Sequence, residues 1–150
     1  MECTIRWGGP GTMTFLAETG SGHIVAADGA PAGGGRNLAP RPMELVLAGT
    51  GACTAYDVVL ILKRGRHDVS GCEAKLVAQR AETDPKVFTE IEFQFTVRGK
   101  NLRRDVVERA VALSHEKYCS ASAMLAKTAK MTYSVELIDE AQVAESIRSE

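Results

Sequence analysis

A chain of 150 residues, 25% charged and 45% hydrophobic, with a formal net charge of -1, is about one soluble globular domain with room for a sizeable core. The near-neutral balance and the lack of any Lys/Arg-rich run argue against a nucleic-acid or anionic-membrane partner. The start "MECTIRWGG" lacks a signal-peptide layout, and no apolar run is expected to reach the roughly 18 residues of a membrane span, so a cytoplasmic protein is expected.

The first third predicts short strands broken by glycine turns. In "CTIRW" Cys3, Ile5 and Trp7 alternate with Thr4 and Arg6, and "TMTFLAE" and "GHIVAAD" follow on either side of "TGSG". Residues 29–42, "GAPAGGGRNLAPRP", form a Gly/Pro-rich loop unusually long for a compact domain, of a kind that is often functional or mobile. Pro42 then suits the first turn of a helix.

That helix, 42–64, is apolar on nearly every side. Met43, Val46, Leu47 and Ile61 lie on one flank, Leu45, Ala52, Tyr56 and Val59 on another. One sheet cannot cover such a helix, so a second subunit is expected on its far side. Gly65 is the expected stop, after Lys63 and Arg64. In its middle, "GTGACT" places small and polar residues around Cys53.

Two strands come next. "CEAKLVAQRAE" turns Cys72, Ala74, Leu76 and Ala78 to one face. In "VFTEIEFQFTV" Val87, Ile91, Phe93, Phe95 and Val97 alternate with Glu90, Glu92, Gln94 and Thr96, as on a sheet with one wet face. "NLRRDVVERAVALSHEKYC" predicts an amphipathic helix with Asn101 as N-cap and Asp105 in the first turn. A shorter helix opens at Ser120, and "MTYSVELID" closes as a strand. The order β-β-β-α-β-β-α-α-β gives an α+β fold, an antiparallel sheet with a long buried central helix. Residues 1–139 are expected to be a single domain and 140–150 a fraying tail.

Four cysteines without a secretion signal or a C-x-x-C pair point to reduced thiols, not a disulfide framework. Cys3 and Cys72 share strand faces with apolar residues and are expected to be inert core residues. Around Cys53, Gly49, Gly51 and Ala52 leave room for a ligand or another chain, and Thr50 and Thr54 can donate hydrogen bonds. Small-residue notches also serve plain helix packing. Asp57, one turn on, would raise the thiol pKa, so activation needs a cation from elsewhere. Cys119 lies at a break between two helices, where a helix N-terminus favours a thiolate. His115 and Cys119 could give two metal ligands from one face, with His23, His67 or Cys53 completing the set, but the spacing is unconventional and no metal is expected. If Cys53 and Cys119 meet, their natural chemistry is a reversible dithiol–disulfide cycle.

Two segments, "PMELVLAGTGACTAYDVV" and "EKYCSASAML", resemble the OsmC/Ohr family of osmotically inducible and organic-hydroperoxide-resistance proteins, closest to a little-characterised OsmC-like subgroup. "ILKRGRHDV", "PKVFTEIEFQF" and "VERAVALSHEKYC" extend the likeness over nearly the whole chain. The resemblance implies an intertwined homodimer with active sites at the subunit interface. It also implies thiol-dependent reduction of small hydrophobic peroxides without metal or other cofactor. Cys53 takes the attacking position, Cys119 the resolving one, and a cellular dithiol of unknown identity reduces the disulfide. The family uses an arginine to stabilise the thiolate and a glutamate to hold the arginine. Here Met43 stands at the usual glutamate position and the acid follows at Glu44, about 100° further round the helix. The arginine would be Arg36, free to swing in its glycine-rich stretch, or Arg41, held extended by Pro42; both also read as solvated loop residues. A second reading, from another class, is a dimeric binding or redox-sensing protein that holds a small apolar molecule without peroxidase turnover.

Overall fold

The computed structural model describes residues 1–142. The expected order is the order found: β1 (Cys3–Trp7), β2 (Phe15–Thr19), β3 (Ile24–Ala27), a short 3₁₀ turn, α1 (Pro42–Arg64), β4 (Asp68–Arg80), β5 (Phe88–Lys100), α2 (Arg104–Leu113), a π-helical turn over Ser114–Tyr118, α3 (Ser120–Leu125) and β6 (Lys130–Asp139). Of the expected tail, residues 143–150 lie outside the described residues. Close contacts divide the chain into two compact units, Met1–Ala48 and the remainder from Gly49.

The first unit is the antiparallel meander β1-β2-β3, in register from Cys3 opposite Thr19 to Trp7 opposite Phe15. Every residue of β1 is exposed, Cys3 included. The expectation of a core Cys3 is therefore corrected: an alternating strand buries a face only where something packs on it, and β1 is an edge strand with neither side covered.

The long glycine-rich loop is ordered by one buried carboxylate. Asp28 accepts the backbone N–H groups of Gly29 (2.8 Å), Arg36 (3.0 Å) and Leu38 (3.0 Å), with the Thr14 hydroxyl at 3.4 Å. These bonds, that from Leu38 foremost, hold its carboxyl below the usual carboxylate range. Gly35 passes so close to the Gly29 carbonyl that any side-chain carbon there would collide with backbone.

In the second unit β4 pairs antiparallel with β5, whereas β6 runs parallel to β5, from Glu90 opposite Lys130 to Gly99 opposite Asp139. The two helices between β5 and β6 form the crossover that a parallel pair demands. Ile91, Phe93, Phe95 and Val97 of β5 are fully buried, as are Val58 and Leu62 of α1 and Val107, Ala110 and Val111 of α2. Phe88, not Val87, takes the next buried place, because the β4–β5 ladder slips at Gln79/Arg80.

Helix boundaries differ in two places from the sequence reading. Asn101 is not a cap: it has φ 54°, its N–H goes to the Asp139 carboxylate, and α2 begins after Arg103. At the end of α1 the left-handed residue is Arg66 (φ 61°), not Gly65. His67 N–H reaches back to the Leu62 carbonyl and Arg66 N–H to that of Lys63, the Schellman pattern. By length and composition α1 could cross a membrane, contrary to the expectation that no segment reaches that length. Glycines and threonines interrupt its apolar run without spoiling the average, and Thr50, Gly51 and Thr54 are buried along with Val58 and Leu62.

Candidate active site

Two of the expected site residues come together within the second unit. Cys53 projects from α1, and Cys119 is the N-cap of α3. The Cys119 sulfur accepts the Ser122 N–H at 3.4 Å, as an N-cap side chain does. The five residues before it are wound as a π turn, closed by a 2.8 Å bond from Cys119 N–H to the Ser114 carbonyl. This wide turn is the break expected from "EKYCSAS", and such turns are frequent at functional sites. Both thiols are free; Cys119 is buried and Cys53 half-buried. Their sulfurs and a carboxylate oxygen of Asp57 all lie within 4.8 Å of one another.

The electrostatics of this group oppose ionisation of Cys53. A hydrogen bond with the Cys119 side chain is the main cause pushing the thiol pKa up, followed by burial and, less, by the charge of Asp57. The Ala121 N–H pulls the other way. Asp57 is anchored by the buried Ser114 hydroxyl, which donates to Oδ2 at 3.2 Å and lies 3.4 Å from the Thr54 carbonyl. Sequence reasoning missed Ser114; its only signal was a serine in an otherwise apolar helix face, one residue before His115.

The "GTGACT" notch serves helix packing. A side-chain carbon on Gly51 would stand 2.9 Å from Leu76 Cδ1, so this glycine lets α1 settle on β4. The Thr54 hydroxyl is turned to its own helix, donating to the carbonyls of Gly51 (2.9 Å) and Thr50 (3.1 Å), and not toward a ligand. Gly49 has open space beside it.

Arg36, Arg41 and Glu44 belong to the first unit, where each has a local partner. Arg36 gives its N–H to Asp28 and approaches the Gly11 carbonyl at 3.4 Å with its guanidinium. Glu44 Oε2 accepts the Arg41 N–H at 2.9 Å, three residues back, which is half of a capping box for α1. The helix start thus accounts for an acid at this position on structural grounds alone.

His115 lies away from metal chemistry: its ring stacks on Tyr133 (centroids 5.1 Å apart, planes within 9°) and meets Phe93 edge-on at 4.6 Å. Nε2 is buried without a hydrogen-bond partner among the described residues, and burial lowers the pKa of the ring.

A family model described as OsmC-like protein matches residues 33–134, which include both thiols. The chain belongs to the OsmC-like family. Among relatives of OsmC-like type, Protein YhfA of Escherichia coli K12 is 44% identical over 138 residues, covering 92% of this chain and 98% of YhfA. The crystal structure of a hypothetical protein from Aquifex aeolicus VF5 has a TM-score of 0.75 at 31% identity, over 92% of this chain and 97% of that one. A Legionella pneumophila structure described as an organic hydroperoxide resistance protein OsmC has a TM-score of 0.65 at 20% identity, over 91% and 97%, a likeness of fold.

Proposed function

We propose that this OsmC-like protein is a thiol peroxidase that reduces organic hydroperoxides through Cys53 and Cys119. The observation that supports it most is the meeting of those two thiols, within 4.8 Å, at a site where one is half-exposed and the other sits on a break between helices. The Cys53 thiolate attacks the outer oxygen of ROOH, the O–O bond breaks, and ROH leaves with a proton. The resulting sulfenic acid condenses with the Cys119 thiol, forming the S–S bond and releasing water. A cellular dithiol returns both thiols, which places the cycle in a reducing compartment such as the cytoplasm. Since the free site pushes the Cys53 pKa up, the reading assigns stabilisation of the thiolate to a guanidinium from the loop before α1, Arg36 or Arg41, with Glu44 as its positioning residue. It further takes the working unit to be a homodimer.

The test is peptide mass spectrometry without reductant after one equivalent of cumene hydroperoxide. A rapid, near-stoichiometric Cys53–Cys119 disulfide, absent in Cys53→Ser, is expected; free thiols alongside intact peroxide would refute the peroxidase. The raised thiol pKa favours a second reading, a binding or redox-sensing protein without turnover. In that case the disulfide forms with strong oxidants such as diamide, but hydroperoxide consumption stops at one equivalent or never starts.

A further inference from the structure

The thiol pair has a third neighbour that the peroxidase cycle does not use. Cys53 and Asp57 stand one helical turn apart on the same face of α1, and Cys119 faces them from the N-cap of α3. One donor atom from each lies within 4.8 Å of the other two, and among the described residues this is the one cluster of three metal-ligating side chains. A tetrahedral Zn²⁺, at about 2.3 Å from sulfur and about 2.0–2.2 Å from carboxylate oxygen, needs neighbouring donors about 3.5–3.8 Å apart, so a closure of about 1.3 Å at most completes the set. We propose that Cys53, Asp57 and Cys119 form a binding site for a thiophilic divalent cation, zinc in the first instance.

The surroundings are organised for ligation. Asp57 Oδ2 is held by the Ser114 hydroxyl, leaving the second oxygen for a metal, and this is how ligating carboxylates are commonly oriented from behind. The Cys119 sulfur already accepts the Ser122 N–H, which fixes its direction as a partner behind a ligand does. Two sulfurs and one oxygen select soft or borderline metals over Mg²⁺ or Ca²⁺, which require mostly oxygen ligands. Three protein ligands leave a fourth position, and Cys53 is open enough for a water to take it. Binding displaces one proton from each thiol and transfers no electrons. The bound cation occupies both sulfurs, so it shields them from peroxide, and two-electron oxidation to the disulfide releases it. That consequence rests on the peroxidase reading; the binding itself does not.

Anaerobic titration of reduced protein with Co²⁺, followed by displacement with Zn²⁺, separates the two. One Co²⁺ per chain is expected, with a near-ultraviolet sulfur-to-cobalt charge-transfer band and the visible bands of a four-coordinate ion, lost when Zn²⁺ is added. Cys53→Ser and Cys119→Ser each weaken the site by at least about 100-fold, and Asp57→Asn by about 10- to 100-fold. Protein oxidised with diamide, which needs no peroxidase activity, binds none. No charge-transfer band in folded, reduced protein would overturn the proposal, as would a band that survives in both cysteine variants. A protein that binds cobalt at these sulfurs yet ignores hydroperoxides retains the metal site and loses only the peroxidase.

Discussion

At Cys53 two neighbours and burial bias the same proton. The Cys119 side chain, burial and Asp57 all favour the thiol, so at neutral pH less thiolate is present than in a free cysteine. Because alkylation proceeds through the thiolate, the Cys53 rate with iodoacetamide is expected to lag a model thiol at pH 7, and its profile to be displaced to more alkaline pH. Asp57→Asn removes a negative charge and speeds the reaction severalfold, an effect that shrinks in high salt as screening replaces it. Peptide-resolved mass spectrometry reads both rates; equal rates in the two proteins would remove Asp57 from the account. His115 shows the opposite shift. Its folded pKa lies below the unfolded value near 6.5, so on acidification the unfolded chain takes up the proton first. The contribution of the neutral ring is present in full above that pH and is lost as pH falls through it toward the folded pKa. Melting temperature is expected to decline from pH 7.5 to 5, and His115→Phe, which keeps a ring against Tyr133 and Phe93, flattens that decline.

Elements add constraints that single residues do not carry. Arg66 closes α1 in a left-handed conformation that costs a side-chain-bearing residue about 1–2 kcal/mol relative to glycine. Arg66→Gly should therefore stabilise the protein by about 1 kcal/mol after its larger unfolded-state entropy is counted. Gly51 argues the reverse: Gly51→Val drives two extra methyls toward Leu76 and should cost about 1–3 kcal/mol. Urea midpoints at constant m-value measure both. These sites also mark where the sequence was legible. Strong periodicity located β5 and α2, Pro42 and an all-round apolar run located α1, and the polar break "EKYC" located the helix junction that presents Cys119. The left-handed Arg66 and Asn101 could not be read: glycine was the default expectation at the end of α1, and Asn101 is held by Asp139, 38 residues away in sequence and at the end of the β5–β6 ladder. The parallel sense of β6 was equally hidden, since alternation along a strand is the same in either direction. For the site, helical spacing put Asp57 beside Cys53, while Ser114 and the capping role of Glu44 needed coordinates: each depends on which of several turns a short side chain meets.

At the scale of the whole molecule, each unit carries large apolar side chains that the chain does not cover. In the second, Tyr56 on α1 is 68% exposed. In the first, Ile5 and Trp7 of β1 are 60% and 53% exposed, with Leu16 of β2 and Ile24 of β3 also open. Scattered exposed residues are ordinary, but a run of them along one small sheet is the composition of an interface core. A second copy of the chain is the occupant that the family resemblance implies, and an interface of that kind would be lost by placing a charge at its centre. Sedimentation of the wild type is expected to give a dimer at micromolar concentration, and Tyr56→Glu and Trp7→Glu each to weaken it by about 2–4 kcal/mol, on the order of 30- to 1000-fold in the dissociation constant. Circular dichroism of both variants separates lost association from lost folding. If the wild type sediments as a monomer, active sites at a subunit interface are ruled out, while disulfide formation between Cys53 and Cys119, both in one unit of one chain, is still expected. If it dimerises and Tyr56→Glu alone dissociates it, the contact runs along α1, one turn from Cys53, and hydroperoxide turnover should then fall with dilution below the dissociation constant.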